Sequence, residues 1–68
     1  MEGKIYKHYK GNLYKVLCIA NHSETLEKMV VYQALYGNGE IWTRPLSMWS
    51  DRVLVDGKQT ARFEEIKD

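Results

Sequence analysis

The chain has 68 residues, and its ten lysines and arginines against nine acidic residues give a net charge of +1. A chain of this length sustains a single hydrophobic core, so it excludes a second domain and the interdomain cleft in which many enzymes bind their substrates. The charges are scattered along the sequence, and this distribution gives no electrostatic indication of DNA or a membrane surface as a partner.

The cysteine content and the hydropathy pattern bear on location. Cys18 is the only cysteine, so no internal disulfide can form, and a reducing cytoplasm is the natural compartment. No apolar run approaches the roughly 20 residues that span a bilayer, and no leader-like pattern begins the sequence. We expect a single cytoplasmic domain over residues 1–68, with an ordered core over residues 4–66, that makes no membrane contact and is monomeric.

The first third of the chain predicts two strands joined by a tight turn. Residues 5–9 alternate β-forming and polar side chains, and residues 10–12 have the composition of a turn. Residues 13–20 are rich in branched and aromatic side chains and form the clearest predicted strand. The even-numbered side chains of this strand include no charge, so we expect the core-facing set to be Tyr14, Val16, Cys18 and Ala20.

The middle of the chain predicts a polar connection followed by a second long strand. Residues 21–28 contain neither glycine nor proline, and they predict either a structured loop or a single helical turn capped by Ser23. Residues 29–36 are apolar on both parities, which is typical of a strand covered on both faces or curled into a barrel. Residues 37–40 hold two glycines around an asparagine, which predicts a hairpin into a strand at residues 41–44.

The last third predicts a short irregular segment and a final hairpin. Pro45 removes a backbone donor, so residues 46–49 are expected to form an irregular or 3₁₀ turn with apolar side chains under the sheet. An Asp-Gly pair predicts a turn between strands at residues 53–55 and 60–63. Together these elements predict a mainly β fold, either a small SH3-like barrel or a strongly bent antiparallel sheet of five to six strands.

Several spaced motifs follow one another in a fixed order along the chain. They are YKHYKG at 6–11, YxV at 14–16, HSETxE at 22–27, VVYxxLYG at 30–37 and WxRPxxMW at 42–49. From residue 5 to residue 66 the chain resembles the small bacterial family called domain of unknown function 1653. The resemblance implies an SH3-like barrel and no established activity. One departure is Trp49, where we expect an aromatic residue of the phenylalanine kind.

The densest polar cluster is the segment made of His22, Ser23, Glu24 and Thr25. A serine, a histidine and a carboxylate invite comparison with a catalytic triad. Adjacent residues on one loop point in different directions, however, whereas triad side chains converge, usually from separate segments. The simpler interpretation is a loop that satisfies its own backbone, with Ser23 or Thr25 capping a turn and Glu24 or Glu27 accepting main-chain N–H groups. Contact of this segment with a ligand is the alternative.

Aromatic side chains exceed what a core of this size needs. Surplus aromatics near a loop rim can stack on bases or cage a cation. Arg44 lies two residues from Trp42, on the same face of the predicted strand, and offers a guanidinium group for phosphate or carboxylate. In the alternative interpretation, Trp42 and Tyr32 belong to the core and Arg44 packs its stem over them.

The soft metal ligands are few and lack the spacing of a metal site, so no metal site is expected. They are His8, His22 and Cys18. Cys18 is interpreted as a small core residue and His8, between two lysines, as a solvated side chain. We assign no catalytic residue and no cofactor.

These patterns favour a non-catalytic binding module of unknown ligand, with a nucleotide, a nucleic acid or a peptide as the classes considered. One alternative is a small enzyme that uses His22 and Glu24 as acid and base. Another is a subunit whose exposed apolar surface pairs with a second protein. The predicted ligand-binding residues are His22, Ser23, Glu24, Thr25, Trp42 and Arg44.

Overall fold

The computed structural model describes residues 1–67, which form seven strands and one short helix. In chain order these are β1 (Ile5–His8), β2 (Leu13–Asn21), β3 (Lys28–Ala34), β4 (Ile41–Pro45), α1 (Leu46–Trp49), β5 (Arg52–Val55), β6 (Lys58–Ala61) and β7 (Phe63–Glu65). Over this part of the chain, no helix has the length and apolar character needed to cross a membrane.

Five strands form one antiparallel sheet in the order β4-β3-β2-β1-β7, and β5 pairs with β6 in a separate hairpin. The predicted mainly β fold with a strongly bent sheet is confirmed, with seven strands in place of five to six. The extra strand arises because the predicted strand at residues 60–63 is divided at Arg62. The backbone N–H of Arg62 donates to Asp51, and its carbonyl accepts from Tyr9, so the chain leaves the hairpin there and joins the sheet beside β1.

Backbone hydrogen bonds do not close the large sheet, because β4 and β7 are its two edges. Side chains bridge the gap between those edges. The guanidinium carbon of Arg44 on β4 lies over the ring of Phe63 on β7, 5.8 Å from the ring centre. The indole of Trp49, at the end of α1, stacks on the same ring with centres 4.0 Å apart and an interplanar angle of 3°.

The core lies on the inner face of this bent sheet and is mostly aromatic. Val16 and Val30 are fully buried at its centre. The rings of Tyr6 and Tyr32 meet Trp49 edge to face, with centres 5.3 and 5.0 Å apart. The expectation that residues 46–49 carry apolar side chains under the sheet holds for Trp49, whereas Leu46 and Met48 are exposed.

A β-bulge in β2 overturns the predicted core-facing set of that strand. Val16 pairs with Tyr32 and Cys18 pairs with Val31, so Leu17 is an extra residue without a partner on β3. An extra residue in a ladder reverses the side-chain parity beyond it. Ile19 therefore faces inward opposite the buried Val30, and Cys18 lies on the outer face and is only partly buried, as is Ala20. The prediction that Cys18 and Ala20 are core residues was wrong.

The bulge predicts opposite outcomes for two aspartate substitutions on one strand. Val16→Asp places a carboxylate in the sealed core and is expected to cost several kcal/mol, close to the whole stability of so small a domain. Cys18→Asp places the same carboxylate on the outer face and is expected to cost less than half as much. Urea unfolding of both variants measures the difference, and equal losses would contradict the assignment of faces.

The two tryptophans offer a second matched pair. Trp49→Ala removes the stack on Phe63 and is expected to cost about 3 to 5 kcal/mol, whereas Trp42→Ala removes a half-exposed side chain and is expected to leave the melting temperature nearly unchanged. Trp49→Phe keeps an aromatic stack and removes the indole N–H, which is buried and has no hydrogen-bond partner within residues 1–67, so it is expected to be the milder Trp49 variant. Thermal unfolding that ranked Trp42→Ala as the most damaging would disprove this account of the core.

Candidate functional site

The polar loop between β2 and β3 is held together by its own hydrogen bonds. The Nδ1 atom of His22 accepts the backbone N–H groups of Glu24 and Thr25 at 3.2 and 3.3 Å. The backbone N–H of Leu26 donates to the His22 carbonyl at 2.8 Å, and the N–H of His22 donates to the Glu27 carbonyl at 2.8 Å. Leu26 turns the chain with a φ of 64°.

These contacts decide which residue organises the loop. His22, rather than Ser23, accepts the main-chain donors of the turn, and the Thr25 hydroxyl oxygen accepts the N–H of Glu27 at 3.3 Å. The side chains of Ser23 and Glu24 are exposed. The segment therefore satisfies its own backbone, which agrees with the structural interpretation of the loop, and it leaves hydroxyl and carboxylate groups facing solvent.

The six predicted site residues divide into two groups. Trp42 pairs with Tyr32 and Arg44 pairs with Val30, so both lie on the inner face of the sheet. The loop of residues 22–27 precedes β3, whereas Trp42 borders a cleft formed by the connection that follows β3. Since β3 extends by about 3.3 Å per residue, its two ends are roughly 20 Å apart. Arg44 lies nearer the loop than Trp42 does.

Trp42 forms one wall of a small aromatic cleft. The cleft has a volume of about 70 Å³, and Tyr36 and the hairpin of residues 37–40 also line it. The exposed fractions of Trp42 and Tyr36 are 48% and 45%. The hydroxyl groups of Tyr36 and Tyr14 are hydrogen-bonded at 2.7 Å. This end of the inner face offers a flat ring next to paired hydroxyls.

Positively charged groups gather around Phe63, whose ring centre lies 5.8 Å from that of Tyr14. The Nε atoms of Arg44 and Arg62 are buried, and neither has a hydrogen-bond partner in residues 1–67. The ring of His8 meets Phe63 edge to face with centres 5.1 Å apart. The guanidinium carbon of Arg44 lies 5.8 Å from the centre of the same Phe63 ring. Buried unpaired guanidinium nitrogens are costly, and an anion would relieve that cost.

Two pKa shifts describe the electrostatics of this surface. Burial lowers the pKa of His8 below its ordinary value of 6.5, and the positive charges of Arg62, Lys10 and Arg44 lower it further. Burial, together with the hydrogen bond to Tyr36, raises the pKa of Tyr14 to about 12. Both shifts arise first from burial, and the positive neighbours of His8 further disfavour an added positive charge there.

Sequence reasoning found Trp42 and Arg44 but missed their neighbours in space. His8 was predicted to be solvated, and it lies instead against Phe63 with its Nδ1 atom accepting the N–H of Lys10 at 3.1 Å. The sequence pattern did not predict a role for Arg62. No local spacing could identify this group, because its members come from β1, β4 and the junction between β6 and β7.

The other surfaces of the protein are weaker candidates for a binding site. One cleft of about 690 Å³ is open and lined by charges of both signs without an aromatic ring, from Gly3, Lys4, Ile5, Leu13, Glu65, Ile66 and Lys67. A search of the described residues finds no group of three or more His, Cys, Asp or Glu side chains placed to hold a metal ion. We therefore take the inner face from Trp42 to Arg62 as the candidate site.

Comparisons with known proteins agree on one family. A family model described as a protein of unknown function (DUF1653) matches residues 4–65. A crystal structure of a DUF1653 protein from Bordetella bronchiseptica is similar to this chain, with a TM-score of 0.86 and 34% sequence identity. That match covers 97% of this chain and 87% of the other. No curated protein matches this chain.

The pKa of His8 reports directly on the cationic cluster. Arg62→Gln removes the largest positive neighbour and is expected to raise the pKa of His8 toward 6.5, and Arg44→Gln is expected to raise it less. Because folding lowers this pKa, the associated stability is present above pH 6.5 and is lost as the pH falls toward the folded-state pKa. NMR titration of the imidazole measures both variants, with Lys15→Gln on the outer face as control. An unchanged His8 pKa in Arg62→Gln would contradict this arrangement.

Proposed function

Because this chain belongs to the DUF1653 family, whose members are of unknown function, we propose its function from its own geometry: it is a non-catalytic module that binds a planar ligand carrying an anionic group, such as a nucleotide. The planar part stacks on Trp42, and the anionic group contacts Arg44. The proposal keeps the cytoplasmic location that a single unpaired cysteine favours.

One observation carries this proposal. A half-exposed indole and a guanidinium, whose buried Nε atom has no hydrogen-bond partner among residues 1–67, lie two residues apart on one face of an edge strand. An exposed tryptophan is the best surface for stacking a base or another planar ring, and stacking contributes about 1 to 3 kcal/mol. A charge-assisted hydrogen bond from the arginine adds roughly 1.5 to 3 kcal/mol.

The surroundings of Arg44 support an anion over a neutral polar group. His8 and Arg44 both lie against Phe63, and the charged groups that lower the pKa of His8 are all positive, Arg62 first among them. Partial burial strengthens such interactions, because the local dielectric constant is lower than that of water. A phosphate or carboxylate beside Arg44 would therefore be attracted by several positive groups, Arg62, Lys10 and Arg44 itself.

The polar loop favours binding over catalysis. An enzyme built on His22 and Glu24 would need a free imidazole nitrogen facing a carboxylate across a cavity. Because Nδ1 of His22 accepts two backbone N–H groups, the proton of the neutral imidazole lies on Nε2 and the ring has no free lone pair to act as a base, and the Glu24 side chain is exposed. In the proposed module, residues 22–25 contact at most the outer part of a longer ligand.

A titration with matched variants tests the proposal. Nucleoside monophosphates are expected to shift the amide resonances of residues 42–44 and the imidazole of His8, and the corresponding nucleosides are expected to bind more weakly because they lack the anion. Trp42→Ala is expected to weaken binding by about 1 to 3 kcal/mol. Arg44→Ala is expected to weaken it by a similar amount and, because the contact over Phe63 is lost, to lower the melting temperature, though by much less than Trp49→Ala.

Two controls make this result specific. Lys15→Ala removes a positive charge from the outer face and is expected to bind like the parent. Arg44→Met keeps the apolar stem over Phe63 and removes only the charge, so it separates lost binding from lost packing. A large loss of stability in Arg44→Met, together with no resonance shift from nucleotides, single-stranded RNA, single-stranded DNA or short acidic peptides, would refute the proposed site.

A further inference from the structure

The edge strand β4 has a regular pattern of unused backbone groups. In the large sheet β4 pairs only with β3. The N–H of Ala34 donates to the carbonyl of Glu40, and the register continues from Gln33 opposite Ile41. Hydrogen-bonded pairs alternate along an antiparallel ladder, so Trp42 and Arg44 direct their backbone groups toward β3. The backbone groups of the odd-numbered residues of β4 therefore point away from the sheet.

The β7 edge is protected by charge, whereas residues 41–43 of the β4 edge are exposed. The three-residue strand β7 carries Glu64 and Glu65, and charges on a short strand discourage pairing with another strand. In β4, the side chains of Ile41, Trp42 and Thr43 are exposed and uncharged. Its Pro45 is compatible with an open edge, because it has no outward N–H to leave unpaired.

We propose that β4 pairs with β4 of a second copy of this chain in an antiparallel, two-fold symmetric arrangement centred on Thr43. The two Thr43 residues then form a hydrogen-bonded pair, and each Ile41 N–H donates to the Pro45 carbonyl of the second copy. The residues whose backbone groups point outward, Ile41, Thr43 and Pro45, are placed symmetrically about Thr43. This register therefore uses both outward N–H groups of β4, those of Ile41 and Thr43. The result is one continuous sheet across both chains.

The same register matches side chains. Trp42 of one chain lies opposite Arg44 of the other, in a non-hydrogen-bonded pair whose Cα atoms are about 4.5 Å apart and whose side chains touch. An arginine against an indole is a favourable cation–π pair, and the symmetry forms it twice. Ile41 meets Pro45 of the second copy, apolar against apolar. A strand of unrelated sequence would not reproduce these matches, so a second copy is the occupant that fits.

This inference goes beyond ligand binding and does not depend on it. It replaces the monomer expected from the sequence with a dimer that assembles by mass action. It also brings Arg44 of the second copy beside each Trp42, so a ligand at Trp42 would meet groups from both chains.

Replacing the central residue tests the dimer. Thr43→Pro removes only an outward N–H, so the pairing of β4 with β3 is expected to remain, as judged by an unchanged pattern of amide resonances. For the parent, light scattering and sedimentation are expected to give twice the chain mass at millimolar concentration and the single-chain mass at low micromolar concentration. For Thr43→Pro they are expected to give the single-chain mass at both concentrations. Thr43→Val keeps the N–H and the branched shape and is expected to dimerise like the parent.

Hydrogen exchange gives a second measurement that requires no variant. The amides of Ile41 and Thr43 are expected to become protected as the parent is concentrated, whereas an unpaired edge exchanges rapidly at every concentration. A parent that keeps the single-chain mass at millimolar concentration, or a folded Thr43→Pro that doubles its mass like the parent, would overturn the proposal.

Discussion

The stacking of Trp49 on Phe63 is the contact on which the fold depends. It joins the segment that follows β4 to β7, the opposite edge of a sheet that backbone hydrogen bonds leave open. In a closed barrel, backbone hydrogen bonds between the edge strands would join the two edges. In this protein, the stacked rings of Trp49 and Phe63 join them. The edge-to-face contacts of Tyr6 and Tyr32 with Trp49 then fill the space that the bend encloses. Bulky rings suit so short a chain, because a few of them bury much apolar area.

The core and the candidate site share Phe63. One ring contacts Trp49 in the interior and has Arg44 and His8 at its margin. Side chains fixed in this way lose little further freedom when a ligand binds, and preorganisation of this kind favours affinity. It also ties the electrostatics of the surface to the packing below it, since a change in the position of Phe63 moves the arginine and the imidazole together.

Local patterns predicted the strands and the turns, because alternation and turn chemistry act over a few residues. They also placed Trp42 and Arg44 on one face, since that relation needs only a strand with period two. The exchange of Cys18 for Ile19 in the core could not be predicted, because nothing in the sequence marks Leu17 as an extra residue. The group of His8, Arg44 and Arg62 was equally hidden, since it forms only when the two sheet edges approach each other.

The bulge at Leu17 also has a mechanical role. Every pairing of β2 with β3 on either side of it would survive if that residue were missing, so the ladder itself does not require it. The extra residue makes one strand longer than its neighbour over the same span, and a sheet with unequal strand lengths must twist and curve. Leu17, which has no ladder partner on β3, thus contributes to the shape of the sheet. The curvature of the sheet therefore depends partly on the number of residues in β2. The same number affects the distance that the Trp49–Phe63 pair spans between the two edges.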